Sequence, residues 1–261
     1  PRRPMPKSPP PTKPMKAKFR FLFPFVLVFL LWEWAAAEGI WSSYILPSPG
    51  RVGETLCHMI QNGELVRHIL ISLRRIVTGF FWAFLSSCLL SSLNLLFPRI
   101  RDCYAGLLEV FRHVPPLSLI PLLILWFGIG ELPKTIIIVL ASFFPMYLNM
   151  DDGFRRCDRK LLEVGRMLGF SPWQSLWKIR LPSALPGILT GLRVGMGYSL
   201  RAIIGAEMIA ADSGLGYLIL DAQAMSRSDK VFIGILTIGT LGLVLDGIFA
   251  LVERKVLYWM R

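Results

Sequence analysis

The feature that most constrains this chain is a series of apolar runs, each about as long as a lipid bilayer is thick. One run, at residues 19–37, reads FRFLFPFVLVFLLWEWAAA, and comparable runs occupy residues 68–97, 133–150, 184–206 and 231–252. About 20 apolar residues let a helix cross the hydrocarbon core, where the backbone must satisfy its own hydrogen bonds. Charged residues make up 18% of the chain, against about 25% in soluble domains. The sequence therefore predicts an all-α, polytopic membrane protein.

A further span is expected near Pro115 and Pro116. The apolar run at residues 115–130 has 16 residues, fewer than the roughly 20 needed to cross. Either residues 104–114 contribute to this span, or the span is broken at the two prolines, which have no backbone N–H to donate. The expected total is about six transmembrane helices.

The distribution of basic residues predicts the orientation. In the six-span interpretation, 20 Lys and Arg residues fall in the cytosolic parts and five in the outside loops, the cytosolic parts being residues 1–20, 98–113, 151–182 and 253–261. Cytosolic loops of membrane proteins carry such an excess. Both termini are therefore expected in the cytosol, and the net charge of +12 requires no nucleic acid as a partner.

The segments follow from this pattern. Residues 1–18 combine Pro with Lys and Arg, so they are expected to be a disordered cytosolic tail. The remaining predicted segments are a retained first transmembrane helix at 19–45, an outside loop at 46–67 with an amphipathic helix over 49–62, a core at 68–254, and a cytosolic tail at 255–261. The four cysteines are scattered, so they predict neither a disulfide framework nor a metal site.

A polar stretch between the fourth and fifth spans carries the most specific pattern. Glu163, Gly165 and Gly169 are followed after nine residues by Ile179-Arg-Leu181-Pro182. Ser171 is expected to cap a short helix that begins at Pro172, with Gln174 completing the capping box, and Gly169 to end the preceding helix. A basic loop between spans is common by itself, and only the full spacing sets this one apart.

This pattern resembles the cytoplasmic coupling loop of importer-type ABC permeases, which reads Glu-Ala-Ala, three residues, Gly, nine residues, Ile-x-Leu-Pro. The two alanines are replaced here by Val164 and Gly165. The resemblance implies that the loop at 158–182 fits a cleft on a separate ATPase subunit. The coupling residues would be Glu163, Gly165, Gly169, Ile179, Leu181 and Pro182.

The resemblance also implies the assembly. It consists of a homodimer of permease subunits in the bacterial inner membrane, two cytosolic ATPase subunits and an extracytoplasmic solute-binding protein. This chain would bind no cofactor and catalyse no reaction, because ATP and Mg²⁺ belong to the ATPase. Residues 128–135 approach the P-loop pattern, but Pro133 stands where that motif needs Gly.

Four further stretches narrow the resemblance to permeases for aliphatic sulfonates, taurine, nitrate or bicarbonate. They are Leu46-Pro-Ser-Pro49, Leu125-Trp-Phe-Gly128, Phe143-Phe-Pro145 and Gly191-Leu-Arg193. Many such permeases have Ala-Trp where this chain has Tyr198-Ser after Gly197, at a position expected to face the pathway. Import of a thiamine- or riboflavin-related heterocycle remains an alternative, which a cavity rich in aromatic residues and pairing of Arg201 with Glu207 would favour. A stand-alone membrane enzyme or channel is a third possibility.

Several polar residues lie in or near the spans. Arg193 and Asp246 are expected to form an intramembrane ion pair, since each is costly alone in a bilayer. Tyr198, Arg201 and Glu207 are candidates for the substrate pathway, although Arg201 could instead pair with Glu207. Arg74 and Arg75 are expected to extend toward the outer headgroups.

Small residues mark one face of the fifth span. Gly187, Gly191 and Gly195 recur at every fourth position, so another backbone can approach closely there. This face is expected to serve ordinary helix packing, and it could also line the seam between two permease subunits, since the two roles are compatible. Residues 207–222 are expected to form a re-entrant or packed helical segment that faces the cavity.

Overall fold

The computed structural model describes residues 14–258 and is built from helices joined by short connections. Its helices are α1 (Pro14–Ala37), α2 (Pro49–Gln61), α3 (Glu64–Leu96), α4 (Pro98–His113), α5 (Ile120–Phe127), α6 (Glu131–Arg155), α7 (Arg159–Met167), α8 (Pro172–Ser175), α9 (Leu181–Ala210), α10 (Leu215–Ala224) and α11 (Ser228–Val256). A 3₁₀ turn at Pro116–Leu119 precedes α5, and a π-helical turn at Leu176–Arg180 joins α8 to α9.

The expected all-α membrane architecture is confirmed. Within the described residues, α3, α6 and α11 are long and apolar enough to cross a membrane, and two bent helix pairs bring the number to as many as five. In α1 the structure describes side chains from Phe23 onward, and Phe23–Ala37 is an apolar helix. Residues 1–13 of the predicted disordered tail lie outside the described part of the chain, whereas residues 14–18, assigned to the same tail, are helical. The end of the C-terminal tail, 259–261, also lies outside it.

The span near the two prolines is broken. Helices α4 and α5 meet at an angle of 87°. Val114 and Pro115 have extended ψ values of 118° and 122°, as expected for residues that precede proline. Residues 98–113, predicted to be a cytosolic loop, therefore form a helix that is one half of this bent pair. Arg112 lies in its last turn.

The centre of the fold is the contact of α6 with α3 and α9. Small residues allow it, because a Cβ at Gly79 would lie 2.5 Å from the Ile138 side chain. The stripe Gly187, Gly191 and Gly195 faces α6 of the same chain, where added Cβ atoms would lie 2.6–3.0 Å from Asn149 or Met146 atoms. Ordinary helix packing therefore explains the stripe. A role of this face in a seam between two subunits stays a prediction.

A second apolar cluster joins α2, α10 and the start of α11. It contains Val52, Met59, Leu65, Leu215, Leu218 and Ile233. Helix α10 follows α9 after a 43° bend, and Gly214 supplies the left-handed φ of 113° at the break. The expected packed segment at 207–222 is thus the end of α9 followed by α10. Helix α1 joins the cluster through Trp32, which stacks on Phe232 at 5.2 Å between ring centroids.

Candidate functional site

The stretch with the specific spacing folds into a helical hairpin, here called the 159–182 hairpin. Its first helix, α7, ends where Gly169 adopts φ +71°. The Gly169 N–H donates to the Arg166 carbonyl at 3.0 Å, and the Phe170 N–H donates to the Gly165 carbonyl at 2.9 Å. This paired pattern is a Schellman motif, for which a left-handed Gly is the favoured residue. Gly169 therefore turns the chain between the two arms.

The second arm begins with the capping box that the sequence predicts. The Ser171 hydroxyl accepts from the Gln174 N–H at 3.2 Å, and the Gln174 side chain accepts from the Ser171 N–H at 2.9 Å. From there α8, the π-helical turn and α9 form one helical segment from Pro172 to Ala210. The second arm is therefore the cytosolic end of the fifth span. It continues into α9 as helix, with no loop between them.

The two arms touch where the pattern requires a small residue. Gly165 is buried, and a Cβ there would lie 2.6 Å from Ile179 Cδ1. The Lys178 ammonium lies 4.9 Å from the centre of the Phe170 ring, a cation–π distance. Gly165 and Ile179 thus lie in close contact between the arms, and a Cβ at position 165 would require the end of the Ile179 side chain to shift.

The last residues of the pattern, Ile179 to Pro182, lie at the junction of the π-helical turn with α9. The Leu181 N–H donates to the Leu176 carbonyl, five residues back, while Pro182 has no N–H to continue the helical ladder. The Ser183 hydroxyl donates to the Ile179 carbonyl at 2.7 Å and satisfies it. A π turn at a proline widens the helix locally, and such turns are frequent at functional sites.

The outer surface of the hairpin is apolar and exposed. Met167 is 87% exposed, Leu168 66% and Trp173 67%, and Trp173 packs edge to face on Trp177. A groove of about 300 Å³ opens between the arms beside Gly165 and Ile179. Glu163 is exposed on α7. Exposed apolar groups of this kind, rimmed by charged residues, mark surfaces that bind another protein.

A second feature is a cavity of about 420 Å³ between α4, α6 and α9, here called the arginine chamber. Arg112, Tyr198 and Arg201 are its charged and phenolic lining residues, and the rest of its lining is mostly apolar. At about 1.5 Å per residue, Arg112 lies about 21 Å along α4 from Pro98, and Arg201 about 30 Å along α9 from Leu181. Both are therefore far from the cytosolic ends of their helices.

Within the chamber the two arginines differ in their partners. The Arg201 guanidinium lies 5.8 Å from the centre of the Tyr198 ring, and it has no ion pair among the side chains that the structure describes. Arg112 pairs with Glu109 one turn away on α4. A charged residue that lines a cavity of a membrane protein and has no ionic partner is a candidate functional residue.

Glu207 does not join Tyr198 and Arg201, so the alternative of an Arg201–Glu207 pair is wrong. Its carboxylate is fully buried and accepts from Arg75 Nη1 at 2.9 Å, from the Ser72 hydroxyl at 2.8 Å and from the Gly216 N–H at 3.0 Å. Arg75 also forks onto Glu131 at 2.7 and 2.8 Å. Glu207 therefore serves a buried network that ties the end of α9 to α3, α6 and α10.

The burial of Arg75 overturns the expectation that it extends toward the headgroups. Its side chain is 7% exposed, while Arg74 is exposed as expected. A signal was present in the sequence. Along α3 the buried small residues Ser72, Gly79, Ala83, Ser87 and Ser91 recur at helical spacing, and position 75 falls on that stripe.

Arg193 and Asp246 pair as the sequence predicts. Two hydrogen bonds of 2.6 and 2.7 Å join them, and Glu253 lies 3.7 Å from the same guanidinium. Within the described residues no group of three or more His, Cys, Asp or Glu residues could hold a metal ion.

Comparison with known proteins agrees with these features. The sequence profile of the family "Binding-protein-dependent transport system inner membrane component" matches residues 76–258. The putative aliphatic sulfonates transport permease protein SsuC of Bacillus subtilis is 37% identical over 238 residues, covering 91% of this chain and 86% of that protein. The taurine transport system permease protein TauC of Escherichia coli is 34% identical over 239 residues, covering 90% of this chain and 86% of that protein.

Solved structures show the same fold. A chain of the MetNI methionine ABC transporter, in an inward-facing crystal form, superposes with a TM-score of 0.63 at 17% identity. The match covers 74% of this chain and 95% of that chain.

Proposed function

Because the chain belongs to the family of binding-protein-dependent transport system inner membrane components, we propose that it imports a small organosulfonate, such as taurine or an alkanesulfonate, or a similar anion such as nitrate. It is a multi-pass inner-membrane permease subunit of an ABC importer, and the ATPase is a separate chain. Such a permease works with an ATPase and with a binding protein.

The observation that carries the anion assignment is Arg201 in the arginine chamber. Its charge lies near the outer end of α9, with the Tyr198 ring beside it and no ionic partner among the described side chains. Arg201 is exposed, so its guanidinium is free to form charge-assisted hydrogen bonds with an anion that passes through. Relatives named for aliphatic sulfonates and for taurine support the same substrate class.

The 159–182 hairpin is the contact with the ATPase in this proposal. Its exposed Met167, Leu168 and Trp173 enter a cleft on the ATPase, and Glu163 lies on the same arm. Two copies of this chain pair with two ATPases, which bind the ATP and Mg²⁺, while this chain binds no cofactor. Closure of the ATPase dimer moves the hairpins and opens the pathway toward the binding protein.

The heterocycle alternative loses its main argument. It would be favoured if Glu207 neutralised Arg201, but Glu207 is engaged by Arg75 and Ser72. A stand-alone enzyme or channel leaves the exposed hairpin without a role.

The test is ATP hydrolysis by the permease, ATPase and binding protein reconstituted in liposomes. We expect stimulation by taurine, alkanesulfonates or nitrate, and a return to the basal rate in the Arg201→Gln variant. Stimulation by pyrimidine precursors alone would overturn the anion assignment and leave the coupling role of the hairpin intact. Failure of the ATPase to co-purify would overturn the coupling role.

A further inference from the structure

An apolar cavity of about 280 Å³ adjoins the arginine chamber. Its lining is almost entirely hydrocarbon and includes Leu108, Phe111 and Phe143. We call it the apolar annex. Four residues line both the annex and the chamber, namely Val114, Pro116, Leu140 and Phe144. The two spaces are therefore adjacent parts of one site with a charged end and an apolar end.

Helix α4 supplies residues to both ends. Leu108 lines the annex and Arg112 lines the chamber, and positions four apart lie on the same face of a helix. The bend at the two prolines is what presents this face, because it directs α5 away from α4 at 87°. Arg112 has spare donors, since a guanidinium has five N–H groups and one nitrogen, Nη2, contacts Glu109.

We propose that this site holds an amphiphilic sulfonate, with its head between Arg112 and Arg201 and its alkyl chain in the apolar annex. The inference rests on the proposed function as an anion importer and goes further, because it assigns a chain-length specificity to Leu108 and a second anion contact to Arg112. Guanidinium groups suit planar or multidentate oxyanions. The annex suits methylene groups, which gain from leaving water.

The experiment measures binding of ethanesulfonate, butanesulfonate and hexanesulfonate to the permease–ATPase complex in lipid nanodiscs, by calorimetry and without the binding protein. Leaving out the binding protein removes its own selectivity from the result. Each added methylene should tighten binding by up to about fourfold, from the free energy of burying a CH₂ group. Equal affinities for the three sulfonates would overturn the annex assignment.

Matched variants locate the site. Leu108→Trp should weaken hexanesulfonate binding at least tenfold and change ethanesulfonate binding less than twofold. Leu107→Trp should change neither, because Leu107 is 61% exposed and lies outside the lining. If Leu108→Trp does not fold, Leu108→Ala should tighten hexanesulfonate binding relative to ethanesulfonate. An unchanged ratio in that variant would contradict the proposal.

A second pair of variants tests the charged end of the site, where the sulfonate head is proposed to bind. Arg112→Gln should weaken all three sulfonates at least fivefold, whereas Arg99→Gln, on the same helix near its cytosolic end, should not. If hexan-1-ol binds as tightly as hexanesulfonate, the proposed contact of the sulfonate head with Arg112 and Arg201 is wrong. A phospholipid that co-purifies in the annex and is not displaced by hexanesulfonate would identify a lipid site and overturn the proposal.

The two proposals fail separately. If taurine stimulates the full transporter while chain length has no effect on binding, the proposed function stands and the annex assignment falls. If no anion stimulates ATP hydrolysis, the proposed function is wrong, and the sulfonate site that rests on it is wrong as well.

Discussion

Arg75 Nη1 lies 2.9 Å from Glu207 Oε1, and this ion pair is buried, with the carboxylate fully hidden from solvent. It joins the middle of one long helix to the end of another, 132 positions apart in the sequence. Removing one partner of a buried pair leaves an uncompensated charge, which costs far more than the pair itself contributes.

We therefore expect Arg75→Leu to lower the free energy of unfolding by about 3–5 kcal/mol. Arg74→Leu, at the exposed neighbouring position, should change it by less than about 0.5 kcal/mol. The measurement is unfolding by SDS in mixed micelles. Equal stability of the two variants would show that Glu207 does not depend on Arg75.

A second prediction concerns the contact of α6 with α9. Gly187→Ala should destabilise the protein by about 1–3 kcal/mol, because the new methyl group would lie 2.6 Å from the Asn149 carbonyl oxygen. Gly239→Ala is the matched control. It has open space around it, so the same change should be neutral or stabilising by up to about 1 kcal/mol. Thermal unfolding in detergent shows whether each substitution lowers or raises the stability. If both substitutions change the stability in the same direction, the packing described for α9 is contradicted.

A third prediction concerns the 159–182 hairpin. Glu163→Lys and Gly169→Trp should abolish co-purification of the ATPase subunit while the permease remains folded in the membrane. The first reverses a charge on the exposed arm, and the second places a large side chain at φ +71°, where a non-glycine residue is strained. Glu54→Lys, an exposed charge reversal on α2, is the control. Normal transport by either hairpin variant would rule out the coupling role.

A fourth prediction concerns the charge in the arginine chamber. Arg201→Gln should reduce anion-stimulated ATP hydrolysis by about 10- to 100-fold, which corresponds to losing one hydrogen bond to a charged group, about 1.5–3 kcal/mol. Arg201→Lys should recover part of the rate, since the charge remains but the planar fork is lost. Arg51→Gln on α2 should leave the rate unchanged. A neutral Arg201→Gln phenotype would exclude Arg201 from the pathway.

The helices were largely predictable because bilayer crossing imposes a length and a composition on each run. The caps at Ser171 and Gly169 were predictable as well, since capping depends on residues within one turn. The break at Pro115 was left open, because proline removes a hydrogen bond but does not by itself say whether the span bends or starts later.

The errors share one physical cause. The sequence shows which face of a helix a residue occupies. It does not show which other helix packs against that face, because tertiary packing decides that. Arg75 was expected at the headgroups because its depth was known and its buried partners were not. The partner of Gly187, helix α6, was left open for the same reason, and residues 98–113 were taken for a loop although they form α4.

The unbroken helical segment from Pro172 to Ala210 has a mechanical consequence. It packs on α6 at Gly187, where an added Cβ would meet backbone atoms of Asn149 and Gly153 at 2.6 and 3.0 Å. At about 1.5 Å per residue, the tip at Pro172 lies about 22 Å on one side of this contact and Arg201 about 21 Å on the other. One continuous helix therefore carries both the tip of the hairpin and Arg201, with the contact to α6 at Gly187, Gly191 and Gly195 between them. A rigid displacement of this helix moves the tip and the arginine as one body.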